Sequence, residues 1–268
     1  AAEAEAEEEP KKKKKKQKKK EEEKTDEGDD AKQKKQKKKK KKTLAASPVS
    51  EEEEEDSAEA TEEEDSPARW REVHNVKMEP EDDALFAPSA TWDEATPHVG
   101  QPLAEYCHKK KQWPHPTPIQ AQSWPILAAR RDLVAIAETG SGKTLAFGAP
   151  ALRALAASAP PSGGARKVRM VALSPTRELA QQSFEVLSEF AAVVDVKCGV
   201  AYGGVSKSEQ RRAIQACSVL VATPGRLSDL VFNEHNALDL SRADFFVLDE
   251  ADRMLDAGFV KVVTDLAR

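Results

Sequence analysis

Two short apolar runs, far apart in the chain, each end in a polar segment whose chemistry restricts the fold. Residues 133–137 run into Ala137-Glu138-Thr139-Gly140-Ser141-Gly142-Lys143-Thr144, and Phe245-Phe246-Val247-Leu248 runs into Asp249-Glu250-Ala251-Asp252. A brief apolar run that stops at a glycine-rich or acidic segment reads as a buried strand followed by a loop. In a parallel sheet the right-handed crossover rule places all such loops on one edge, so both polar segments are expected there.

The intervening pattern agrees. Strands are predicted at 133–137, 168–173, 196–201, 219–222 and 245–248. Helices are predicted at 103–113, 119–127, 143–157, 176–192, 206–216 and 226–233. Strands alternating with helices define an α/β fold with a parallel sheet covered on both faces.

The glycine-rich segment suits a phosphate. Gly140 and Gly142 let backbone N–H groups turn inward around a β-phosphate, and a helix starting near Lys143 adds its positive end. Lys143 supplies a charge to the β- and γ-phosphates, and the Thr144 hydroxyl is a ligand for Mg²⁺. Ala137 stands where the general pattern of this loop has glycine. Asp249 is placed to hold Mg²⁺ through water, and Glu250 to orient and deprotonate an attacking water. Taken singly, a small-residue turn or an acidic helix start would look the same. Two such segments delivered to one sheet edge instead describe an NTP-hydrolysing site.

Charge separates the chain into unlike parts. Residues 1–84 hold 22 Lys and Arg against 28 Asp and Glu, whereas residues 85–268 hold 20 against 19. The first 66 residues have few large apolar side chains and cannot contribute to a core, so a disordered Lys/Glu-rich arm is expected there. Its lysine-rich stretch, 11–42, suits nonspecific nucleic-acid binding or nuclear import. Residues 67–91, with Pro67, Pro80 and Pro88, read as linker. Cys107, Cys198 and Cys217 have no metal-site spacing, so buried reduced thiols are expected. No apolar run reaches the length of a membrane span, and no signal peptide opens the sequence, which together suggest a soluble intracellular protein.

The tetrapeptide Asp249-Glu250-Ala251-Asp252 spells the DEAD box, and residues 92–268 resemble the first RecA-like domain of DEAD-box RNA helicases. Trp113-Pro114-His115-Pro116-Thr117-Pro118-Ile119-Gln120 resembles the Q motif. The resemblance implies that Gln120 reads adenine, with Trp113 stacking on the base and Trp92 as the upstream aromatic. The loop Ala137, Glu138, Thr139, Gly140, Ser141, Gly142, Lys143 and Thr144 would then hold ATP, with Thr144 and Asp249 on Mg²⁺. Pro175-Thr176-Arg177 resembles motif Ia, Gly203-Gly204 the GG motif, and Thr223-Pro224-Gly225-Arg226 motif Ib. In the family these motifs line the face that grips the RNA backbone, using hydroxyls, close-approach glycines, helix N-termini and Arg.

The resemblance implies an RNA-dependent ATPase that locally unwinds RNA duplexes; the alternative is a noncatalytic ATP- and RNA-binding clamp. Ala137-Glu138-Thr139, Gln112-Trp113-Pro114 and the lysine-rich arm are most similar to fungal nucleolar helicases of ribosome assembly. A nucleolar address, pre-ribosomal RNA and pre-ribosomal proteins as partners are the corresponding expectations. In the family a Ser-Ala-Thr motif follows the DEAD box by about thirty residues and precedes a second RecA-like domain; the Ser-Ala-Thr of this sequence, at 89–91, lies upstream of the box, and the sequence reads as a C-terminally truncated first domain.

Overall fold

The computed structural model describes residues 66–80, 86–158, 168–233 and 238–268. The expected arm, 1–65, lies outside the described residues. Helix α1 is Pro67–Val73, α2 Trp92–Val99 and α3 Gln101–Glu105; a π-helical turn follows at Tyr106–Lys110. Helices α4 (Pro118–Ala128) and α5 (Lys143–Ala157) precede strand β1 (Met170–Leu173). Then come α6 (Arg177–Val193), β2 (Cys198–Ala201), α7 (Lys207–Gln215) and β3 (Val219–Ala222). The chain continues through α8 (Pro224–Ser228), a second π-helical turn (Asp229–Asn233), β4 (Phe245–Leu248), α9 (Ala251–Asp256) and α10 (Val260–Leu266).

The four strands form one parallel sheet in the order β2-β3-β1-β4. Strand side chains alternate between faces, and the core divides accordingly. Met170, Ala172, Val219 and Val221 face a cluster built with Trp92, Val99, Leu103, Trp124, Leu152 and Leu187. Val171, Leu173, Leu220 and Ala222 face the other, with Ile214, Leu227, Leu230, Met254 and Leu266. Burial on both faces explains why β1 and β3 are apolar throughout rather than alternating.

The α/β expectation holds, with local departures. Residues 131–138 form no strand, and Val134 and Ile136 are 91% and 94% exposed. A strand requires a ladder partner, and among the described residues β4 ends the sheet, with Phe246 and Leu248 partly exposed. The segment expected to be helical at 103–113 is split between α3 and the π-helical turn, and that at 226–233 between α8 and its π-helical turn. The stretch read as linker contains α1, whose Arg71 is buried. Cys107, Cys198 and Cys217 are free, and burial pushes each thiol up to about 12. Among the described residues, no helix is long and apolar enough to cross a membrane.

Candidate nucleotide and nucleic-acid site

All four strands end along one edge, and backbone pairing carries order beyond them. The amide of Ser174 donates to the Ala222 carbonyl at 2.9 Å, that of Thr223 to Ala201 at 3.0 Å and that of Asp249 to Leu173 at 2.8 Å. Pro175-Thr176-Arg177, Gly203-Gly204, Thr223-Pro224 and Asp249-Glu250 therefore leave the same edge from fixed starting points.

The phosphate loop turns into the N-terminus of α5. Gly142 is the N-cap residue in a left-handed conformation, φ 93°. A β-carbon there would lie 2.4 Å from Gln120 Nε2 and 3.2 Å from Thr117 Oγ1, so only glycine fits between the loop and α4. The loop is folded on itself: Lys143 Nζ donates to the carbonyls of Ala137 at 2.6 Å and Glu138 at 2.9 Å. Ser141 Oγ donates to Glu138 O at 2.7 Å. Gly140, φ 81°, has open space at its α-carbon, and Thr144 is half-buried in the first turn of α5.

Gln120 is buried at the start of α4. Its Oε1 accepts from the Thr117 amide at 3.1 Å, and its Nε2 donates to the Gly142 carbonyl at 3.2 Å. The amide thus joins the helix start to the phosphate loop, a contact that motif reading did not anticipate. Thr117 Oγ1 is buried without a hydrogen-bond partner. A buried orphan hydroxyl beside a glycine cradle and a helix N-terminus suits a polar, anionic guest. Trp113 is partly exposed and tilts against Phe190, with ring centroids 6.0 Å apart. Trp92 Nε1 donates to the Trp113 carbonyl at 2.9 Å, which explains the pairing of these two aromatics across 21 residues.

The acidic pair lies at the end of β4. Asp249 Oδ2 accepts from Ser183 Oγ at 3.0 Å. Burial pushes the Asp249 carboxyl above its ordinary range, Glu250 adds to this, and the Ser183 hydrogen bond and Lys143 charge pull it down. Ser183 escaped the sequence reading because one buried serine on the inner face of an amphipathic helix has no signature; its partner becomes visible only when α6 packs on the sheet. Glu250 adopts φ 54° as the N-cap of α9, and its carboxylate accepts from Arg253 Nη1 at 2.5 Å. Among the described residues, no group of three or more His, Cys, Asp or Glu side chains could hold a metal.

Farther along the edge, Pro175, Thr176, Arg177, Gly203, Thr223, Gly225 and Arg226 line an open concavity of about 720 Å³, together with Asp229 and Phe259. Thr176 caps α6, its Oγ1 accepting from the Leu179 amide at 3.3 Å. The guanidinium of Arg177 packs over Gly204, where any β-carbon would displace it. Pro224 occupies the first turn of α8 and is buried. Arg226 is also buried, donating to Gln210 Oε1 at 2.7 Å and Val205 O at 3.2 Å. Its visible work is to hold the glycine loop against α7 and α8. The motifs that were separate in sequence thus share one concave surface, and Phe259 joins it from the start of α10.

A parallel sheet with an acidic pair at one strand end, beside a glycine loop that opens a helix N-terminus, defines the P-loop type of α/β protein. The DEAD/DEAH box helicase family model matches residues 117–268, and the chain belongs to that family. It is similar to ATP-dependent RNA helicase dbp3 of Neosartorya fischeri, 49% identical over 153 residues, covering 57% of this chain and 30% of the relative. Its similarity to dbp3 of Schizosaccharomyces pombe is 43% over 204 residues, covering 76% and 34%. Among solved structures, RNA-helicase Prp28 from Chaetomium thermophilum bound to ADP aligns with a TM-score of 0.65 and 32% identity, covering 74% of this chain and 47% of that one. The chain spans about a third of the length of these curated relatives.

Proposed function

We propose that residues 92–268 are the first, ATP-binding RecA-like domain of an RNA-dependent ATPase that remodels RNA duplexes. The observation that carries this reading is the joining of the phosphate loop to α4 through Gln120 and Gly142, with the Lys143 charge of that loop acting on the Asp249 carboxyl at the end of β4. Bound ATP with Mg²⁺ supplies the γ-phosphoryl group and the metal that neutralises its charge. Lys143 leaves the carbonyls of Ala137 and Glu138 to meet the phosphates. Gly140, Ser141 and Gly142 offer backbone N–H groups, while Thr144 and Asp249 would hold the metal. Gln120 and Trp113 receive the adenine. Glu250, released from Arg253, orients water and accepts its proton.

RNA lies across Pro175 to Arg177, Gly203-Gly204 and Thr223 to Gly225 through its backbone, with Arg226 supporting the surface from beneath. Involvement in ribosome assembly, a nucleolar address and pre-ribosomal partners are part of this proposal. They rest on the resemblance to fungal nucleolar helicases, the dbp3 similarity and the lysine-rich stretch 11–42.

Calorimetric titration with ATP and GTP, followed by a steady-state ATPase assay with and without RNA, tests the reading. Preferential ATP binding is expected. The 268-residue chain alone should show no RNA-stimulated turnover, because a second RecA-like domain supplies the arginine finger, worth about 10³ to 10⁵ in rate. Robust RNA stimulation of this chain alone would overturn the two-domain mechanism. ATP and RNA binding that never yields turnover, even after a second domain is supplied, would favour a clamp.

A further inference from the structure

The flank before the family-matched region holds a buried arginine that the mechanism above does not use. Arg71 lies on α1 and is only 6% exposed. Its Nε donates to Gln122 Oε1 at 2.7 Å, and its Nη2 donates to the Phe86 carbonyl at 2.9 Å. Gln122 Nε2 donates to that same carbonyl at 2.9 Å, closing a ring of three hydrogen bonds. The Ser89 amide adds a fourth tie, donating to Ala121 O at 2.9 Å. Three separate pieces of chain, α1, residues 86–89 and α4, are thereby joined at one point.

That point is two residues from Gln120. Successive residues on an α-helix turn by about 100°, so Gln120 and Gln122 lie on nearly opposite sides of α4. One side is held by the flank, and the other reaches the phosphate loop through Gly142 O. Burying a guanidinium is costly unless its donors are satisfied, and an apolar side chain would pack α1 against α4 at lower cost. A directional ring of hydrogen bonds does what apolar packing cannot: it sets the rotation of α4 about its own axis. A rotation of about 20° would move a side-chain tip on α4 by roughly 2 Å, enough to spoil a bidentate contact.

We propose that Arg71 is a positioning residue for nucleotide recognition, acting through Gln122 to hold α4 in the rotation at which Gln120 reads adenine. The inference rests on the ATP-site reading above and assigns to residues 67–89 a part in base selectivity.

The test uses the 268-residue chain with Arg71→Met, Gln122→Met and the double variant, which replaces both polar partners by apolar side chains of similar size. Affinities for ATP, GTP and tripolyphosphate are measured by calorimetry, with thermal unfolding alongside. ATP affinity is expected to fall about five- to tenfold, as for loss of one uncharged hydrogen bond between the Gln120 amide and the base. The ATP-to-GTP ratio should collapse towards one while tripolyphosphate affinity holds. Arg71→Lys, which keeps a donor for both acceptors, should retain most of the ratio. Folded Met variants with an unchanged ratio would overturn the proposal, as would equal losses of ATP and tripolyphosphate in step with stability. Gln122→Met alone carries the test if the double variant does not fold. An unsubstituted chain that binds ATP and GTP equally defeats the nucleotide reading itself, an outcome distinct from failure of the Arg71 assignment.

Discussion

Strands β3 and β4 are both four-residue apolar runs, Val219-Leu220-Val221-Ala222 and Phe245-Phe246-Val247-Leu248, yet they live in different surroundings. Every residue of β3 is buried, with strands on both sides and helices on both faces. Among the described residues strand β4 pairs only with β1, and Phe246 and Leu248 are 36% and 40% exposed. Segment 131–138, which leads into the glycine loop, is more exposed still. Apolar content alone therefore does not decide stability; position in the sheet decides how much of that surface leaves water. The stability of the fold should reside in β1 to β3 and its nucleotide chemistry in the looser half.

Lys143→Ala should break this division most sharply. Removing the charge proposed to meet the phosphates is expected to abolish detectable ATP binding by calorimetry, while the melting temperature changes little because the Lys143 hydrogen bonds go to carbonyls of its own loop. Unchanged affinity would remove the phosphate-loop assignment.

A matched pair of truncations measures the two halves directly. Leu220→Ala should cost about 2 to 5 kcal/mol in urea unfolding, as for a fully buried leucine. Leu248→Ala should cost less than about 1 kcal/mol, since that side chain already meets solvent. Equal losses would mean that β4 is as well buried as β3 in solution.

Gly142→Ala tests the junction between loop and α4. A left-handed alanine costs roughly 1 to 2 kcal/mol, and its methyl would displace Gln120 Nε2. Weaker ATP binding with a modest drop in stability is expected; a neutral result would show that the loop seats elsewhere.

Asp249→Asn should have the smallest effect on folding, and in the opposite direction. Burial raises the native pKa of Asp249 above its unfolded value, so ionisation favours the unfolded state once the pH exceeds the unfolded pKa. The neutral amide should raise the melting temperature slightly at pH 7, and the gain should vanish as the pH falls through the carboxylate range. RNA-stimulated hydrolysis measured with a second domain supplied should be lost at the same time. A lower melting temperature at pH 7 would mean that the ionised carboxylate has stabilising partners outweighing its burial.

Sequence alone determined the fold class and most of its parts, because the necessary information is local. Strands β3 and β4 match the apolar runs residue for residue, and α5 begins at Lys143, where the glycine loop ends. Glycine spacing, the Asp-Glu pair and the order of motifs are likewise properties of contiguous residues. Tertiary structure decided the rest. Whether 133–137 becomes a strand depends on a ladder partner, and its own residues cannot supply one. That Arg226 bonds Gln210 Oε1 and Val205 O while lining the concavity is a matter of packing that its motif does not carry. Ser183 meets Asp249 across 66 residues, and Arg71 meets Gln122 across 51. Such pairings arise only when helices dock, since a hydrogen bond between distant side chains depends on their positions in space and leaves no periodicity in the chain.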